Sequence, residues 1–189
     1  DARWWFGHPG SERAPELNLL GVQAIGLALA TLIRRRGIGP GIIVGHDFRS
    51  YSQSIKLALI SGLMAGGAEV HDIGLALSPM AYFAQFDLDV PSVAMVTASH
   101  NENGWTGIKM GCERPLTFGP DDMAELKDIV LEGTGEAIGG GRLSIVPDFR
   151  ARYLDHLGAD RRFERRLKVV CACGNGTAGA FAPPLLERL

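Results

Sequence analysis

Apolar and polar positions follow two rhythms along this chain. Short apolar runs bounded by glycine or polar residues alternate with longer stretches whose apolar residues recur at helical spacing. The first long stretch, Glu16 to Arg36, predicts a helix. Leu17, Leu20, Ala24, Leu27 and Ala28 make one face, and Val22, Ile25, Leu29 and Ile33 nearly cover the other. A helix apolar almost all round is mostly buried. Arg34, Arg35 and Arg36 close it and Gly37 follows, the cations and glycine that suit a helix C-terminus. Gly41 to His46 reads as a strand, Gln53 to Ala65 as a helix, and Glu69 to Ile73 as a strand. Ser78-Pro79 starts a helix running to about Phe86, with Met80, Phe83 and Ala84 as core. Ser92 to Ala98 is a third strand, with Ile108 to Gly111 as a short strand beyond it. Pro120 opens a helix to about Leu131, with Asp121 and Asp122 correctly placed in its first turn.

Strands alternating with helices predict a three-layer α/β/α sandwich around a mostly parallel, mixed sheet. Glu132 to Arg142 holds five glycines and reads as a surface turn. Pro147 to Leu157 is expected to be a helix, with Arg161, Arg162, Arg165 and Arg166 as a solvated charged face. Lys168 to Cys173 reads as a new strand, followed by Gly174-Asn175-Gly176 and a further helix.

Composition adds limits rather than an activity. The chain has 189 residues, 46% hydrophobic and 21% charged, with a net charge of −2. That is the balance of a globular protein, and it offers no field for a nucleic acid or an anionic membrane. The apolar stretches are broken well short of a membrane span. Three cysteines fit a reducing, cytoplasmic setting, and Cys171 and Cys173 are expected to be buried structural thiols on one side of a strand.

The chemistry concentrates where the third strand stops. Thr97-Ala98-Ser99-His100-Asn101, then Gly104 and Gly107-Ile108-Lys109, puts polar side chains at the mouth of a sheet, where open α/β sheets bind ligands. A serine there can be a nucleophile, or it can simply cap a turn. A serine hydrolase would want a G-x-S-x-G elbow with a later acid and histidine, whereas Ala98 and His100 flank Ser99 here. Gly174-Asn175-Gly176 lacks the lysine of a P-loop.

The longer string resembles the active-site serine loop of the α-D-phosphohexomutases, the phosphomannomutase/phosphoglucomutase superfamily. The usual form is T-A-S-H-N-P, a few residues, then N-G-x-K. Glu102 stands at the proline position and Thr106 at the asparagine position. Val44-Gly45-His46-Asp47-Phe48-Arg49 is similar to the family's V-G-x-D-x-R, Asp1-Ala2-Arg3 to the end of its Y-D-x-R opening, and Val170 to Gly179 to the start of its second domain, usually D-C-G-N-G-T-A-G, with Ala172 at the aspartate position. The resemblance implies transfer of a phosphoryl group between C1 and C6 of a mannose or glucose phosphate through a phosphoserine, with a hexose 1,6-bisphosphate as activator. It implies Ser99 as carrier and, through its phosphate, as a Mg²⁺ ligand, the main metal ligands lying outside this chain. Lys109 becomes the nearby cation and Arg3 a substrate-binding residue. His100 either assists proton transfer or orients the loop. Asp47, Arg49 and Asn101 support the site. It divides the chain into a serine-bearing domain over 1–145, a connector over 146–167 and the start of a second, similar domain over 168–189. The remaining domains of the same polypeptide are then its partners, and the chain alone is expected to be inert. A non-catalytic sugar-phosphate-binding module on the same fold remains the other reading.

Overall fold

A computed structural model describes residues 2–159 and 162–189. Asp1 of the opening motif and Arg161 of the arginine group lie outside them. The elements run β1 (Ala2–Trp5), α1 (Leu19–Arg35), β2 (Gly41–His46), α2 (Ser52–Ala65), β3 (Glu69–Leu75), α3 (Ser78–Asp87), β4 (Ser92–Val96), β5 (Trp105–Gly111), α4 (Pro120–Leu131), β6 (Arg142–Ile145) and α5 (Phe149–Gly158). A 3₁₀ turn over Thr177–Ala180 and a short α6 (Ala182–Leu186) follow.

Six strands form one mixed sheet in the order β1-β5-β4-β2-β3-β6. β4, β2, β3 and β6 are parallel neighbours, while β5 pairs antiparallel with both β4 and β1. Helices cover both faces. Ile42, Val44, Ala94, Val96 and Ile108 pack with α1, α2 and α4. Ile43, Val93 and Met95 pack with α3 and α5, through Met80, Ala84, Phe149 and Leu154. This is the expected three-layer sandwich.

α1 and α2 meet at bare backbone. A Cβ on Gly62 would lie 1.9 Å from the Gln23 carbonyl, and one on Gly26 would lie 2.3 Å from the Leu59 carbonyl. Only glycine permits that approach. α1 starts at Leu19 rather than Glu16, because the Asn18 side chain accepts the Gly21 N–H at 2.9 Å and caps it there. At its other end Arg34 and Arg35 both pair with Glu136, and Arg36 bridges to Asp122 and Glu125 on α4. The arginine run therefore clamps α1 to α4 and to the loop that follows α4.

Three features differ from the sequence reading. β1 and β6 are strands outside the sequence reading. Every residue of β6 is exposed, so its short alternation of Leu143 and Ile145 buries little and the strand exists through its pairing with β3. Residues 168–173 form no strand: nothing pairs with them among the described residues, and Val170 is 89% exposed. A strand without a neighbour leaves its backbone groups to water. For the same reason Cys171 is exposed and Cys173 only half-buried, not the buried thiols expected; Cys112 is the buried one.

Candidate active site

β2 and β4 are adjacent and parallel, so the loops that leave their C-terminal ends lie side by side. The Asp47 N–H donates to the Val96 carbonyl at 3.0 Å, which joins the loops at their roots. Three residues beyond β4, Ser99 takes φ +55°. A non-glycine residue in the left-handed region costs of order 1–3 kcal/mol and persists only where its surroundings impose it. Here the Thr97 hydroxyl accepts the Ser99 N–H at 3.0 Å, and the Asn101 N–H closes a turn onto the Ala98 carbonyl at 3.0 Å.

The β2 loop braces that turn. Asp47 is buried and forms an ion pair with Arg49; its carboxylate also accepts from the Ser52 hydroxyl at 2.6 Å and the Arg49 N–H at 3.2 Å. Arg49, so oriented, donates to the Asn101 carbonyl at 2.5 Å and reaches the Ser99 carbonyl at 3.5 Å. Much of its charge is offset by Asp47, so its main effect is to hold the serine loop. Arg3 on β1 donates to the Asn101 side-chain oxygen at 2.5 Å from the other side. Behind the loop, a Cβ on Gly107 would lie 2.5 Å from the Ala2 carbonyl and 2.9 Å from the Thr97 carbonyl. A side chain there would push β1 or the serine loop away.

A second brace was invisible in the sequence. The Tyr51 hydroxyl accepts the Gly104 N–H at 2.9 Å and donates to the Trp105 carbonyl at 2.8 Å. Its ring stacks on Phe6, with centroids 5.4 Å apart. Burial raises its pKa, so it remains a neutral donor near pH 7. Nearby, Arg13 lies over Trp5 at 5.2 Å and Trp105 at 4.9 Å, and pairs with Glu16 at 2.5 Å. The segment between β1 and α1 thus straps the back of the loop. A tyrosine whose partners are backbone groups more than fifty positions away leaves no local signature.

These loops border a cleft of about 1010 Å³, lined among others by Asp47, Arg49, Ser99, His100 and Asn101. Leu77, Ser78 and Pro79 at the start of α3 line it too, as do residues 173–178. The positive end of α3 therefore faces the space beside Ser99, an arrangement that favours anions. The Phe48 N–H donates to the Thr177 hydroxyl at 3.0 Å, tying the 3₁₀ turn to the β2 loop.

The family model described as phosphoglucomutase/phosphomannomutase, alpha/beta/alpha domain I, matches residues 6–136. The chain belongs to this family. It is 36% identical over 177 residues to a probable phosphoglucosamine mutase of Pyrococcus furiosus, covering 92% of this chain and 37% of that protein. It is 33% identical over 165 residues to a phosphomannomutase/phosphoglucomutase of Pseudomonas aeruginosa, covering 87% and 35%. A solved phosphoglucomutase/phosphomannomutase family protein from Burkholderia thailandensis superposes with TM-score 0.84 at 28% identity, covering 99% of this chain and 40% of that one. The chain thus spans well under half the length of these relatives.

On this phosphohexomutase domain the candidate residues separate into groups. Ser99, His100, Asn101, Asp47 and Arg49 share the cleft wall. The His100 Nδ1 lies 3.5 Å from the Ser99 Oγ. Lys109 is half-buried in mid-β5 opposite Met95 and is not among the cleft-lining residues. Register puts it on the sheet face that carries Met95, and Arg3, paired with Gly107, shares that face. Among the described residues no three His, Cys, Asp or Glu side chains cluster to hold a metal ion. Among the described residues no helix is long and apolar enough to cross a membrane.

Proposed function

We propose that this chain is the phosphoserine-bearing part of a phosphohexomutase that moves a phosphoryl group between C1 and C6 of a hexose phosphate, with Ser99 as the carrier. The observation that carries the reading is Ser99 itself, held in a left-handed turn past the end of β4 and presented to the cleft. A relay serine must be exposed, fixed in direction and close to groups that tolerate an anion, and phosphoryl transfer depends chiefly on positioning and charge stabilisation.

When Ser99 is charged from a hexose bisphosphate, the sugar O–P bond breaks as the P–Oγ bond forms; the Oγ proton passes to His100, whose Nδ1 lies 3.5 Å away, and the departing sugar oxygen takes up a proton to become a hydroxyl. In the return step the P–Oγ bond breaks, a sugar hydroxyl gives up its proton as its oxygen takes the phosphoryl group, and the serine oxygen regains a proton. Arg49 and Arg3 hold the loop through Asn101, so that Oγ keeps one direction through both steps. The α3 N-terminus offsets part of the roughly −1.5 to −2 charge of a phosphoserine. Lys109 adds a cation on the sheet face below. A hydrolase triad is disfavoured, because no carboxylate is paired with His100 among the described residues.

Incubation with glucose 1,6-bisphosphate followed by intact-protein mass spectrometry tests the assignment. One phosphate on Ser99, absent from Ser99→Ala, is the expected result. A phosphate that persists in Ser99→Ala would overturn it. A coupled assay on this chain alone tests the further proposal that other domains supply the metal and the sugar grip. No turnover is expected of the isolated chain.

A further inference from the structure

We propose that the Phe48 ring is a stacking platform for the apolar face of the hexose that approaches Ser99; the inference rests on the phosphohexomutase reading and adds a sugar contact to it. Phe48 is 63% exposed, yet it lines the cleft that holds Ser99. A single exposed phenylalanine is ordinary on a protein surface. This one is distinguished by its fixed backbone and by its neighbours.

The backbone around it is fixed at three successive N–H groups. That of Asp47 is bound to Val96 at 3.0 Å, that of Phe48 to the Thr177 hydroxyl at 3.0 Å, and that of Arg49 to the Asp47 carboxylate at 3.2 Å. The ring is therefore exposed on an immobilised loop, which lowers the ordering cost that binding would otherwise carry. Its neighbours in the cleft divide by chemistry. Leu77, Pro79 and Met95 add apolar lining to the same cleft, while the serine loop contributes His100, Asn101 and Glu102. A hexose phosphate divides the same way, into C–H faces and a rim of hydroxyls and phosphate. The face of an aromatic ring carries partial negative charge and accepts the weakly positive C–H groups of a sugar. Inorganic phosphate has no such face and should be indifferent to the ring.

The experiment is equilibrium binding to the whole protein, with glucose 6-phosphate and inorganic phosphate as probes, in wild type, Phe48→Ala and Phe48→Trp. Phe48→Ala should weaken glucose 6-phosphate about fivefold and leave inorganic phosphate unchanged. Phe48→Trp should restore the sugar phosphate. Equal weakening of both probes, or none of either, overturns the platform. So does an effect confined to thermal stability, which would make Phe48 a contact between domains. Failure of Ser99 to take phosphate, read separately by mass spectrometry, would overturn the carrier and not the platform. Phe48 is exposed, so its variants are expected to fold.

Discussion

Two apolar runs in this molecule end in polar, glycine-bearing loops on the same cleft, and they behave differently. Ser92–Val96 is β4, with all five residues buried between β2 and β5. Residues 168–173 carry a comparable run, yet they form no strand. The difference lies in the hydrogen-bonding neighbour on each side, not in the residues. Both loops hold a non-glycine residue in the left-handed region, Ser99 at φ +55° and Asn175 at φ +56°, but only the Ser99 turn leaves a strand that is paired on both sides. The loop around Gly174–Gly176 hangs from an unpaired segment. It is tied to the rest through the Thr177–Phe48 hydrogen bond and through Phe181, which is buried with the α3 and α5 side chains.

The largest expected effect tests that contrast directly. Val93→Asp places a carboxylate at a position with no exposure, and should cost at least about 4 kcal/mol or prevent folding. Val170→Asp should change stability by no more than about 0.5 kcal/mol. Urea denaturation of both variants of this chain decides it. A large loss in Val170→Asp would mean that 168–173 is packed in solution and that the contrast is false.

A smaller pair compares the two hydroxyl braces. Tyr51→Phe strands the Gly104 N–H and the Trp105 carbonyl and should cost about 1–2 kcal/mol, with faster hydrogen exchange at Gly104. Thr177→Val releases the Phe48 N–H, at a residue open to water, and should cost about 0.5 kcal/mol. Equal losses would show that the cleft's two sides are equally fixed.

Much of this organisation was legible in the residues, for identifiable reasons. β2 and β4 are buried strands whose apolar runs stand out, and α1 to α4 carry helical spacing and recognisable ends. β1 contains Arg3 between Ala2 and Trp4, and the alternation of Leu143 and Ile145 in the four-residue, exposed β6 is too short to mark a strand, so both depend on edge pairing. The predicted strand at 168–173 failed for the converse reason, since its apolar pattern lacks a neighbour. At the site, the serine string and V-G-x-D-x-R marked the loops at the ends of β4 and β2, and adjacency of those strands brought Ser99 to Arg49. The face chosen by Lys109 needed the β4–β5 register. Tyr51 needed the tertiary fold, because its partners are backbone atoms of a distant loop.

The smallest effect separates the two regions by acid. The Asp122 carboxyl is held below the usual aspartate value, first by the Arg36 guanidinium and then by the Gly119 N–H. A carboxylate whose pKa is lower folded than unfolded contributes stability above its unfolded pKa, and loses it as pH falls through the folded one. The clamp between α1 and α4 should therefore weaken below about pH 4, whereas the docking of Phe181 is apolar and does not titrate. Asp122→Asn removes the charge while leaving an oxygen to accept from Gly119. Because Asp122 and Arg36 are partly exposed, the loss at pH 7 should be no more than about 0.5 kcal/mol. Wild type and variant should converge as the pH falls through the lowered folded pKa. Thermal unfolding of the two proteins from pH 7 downward measures this. A difference that does not shrink as the pH falls would assign the role of Asp122 to packing, and would leave the α1–α4 junction as indifferent to acid as the Phe181 contact.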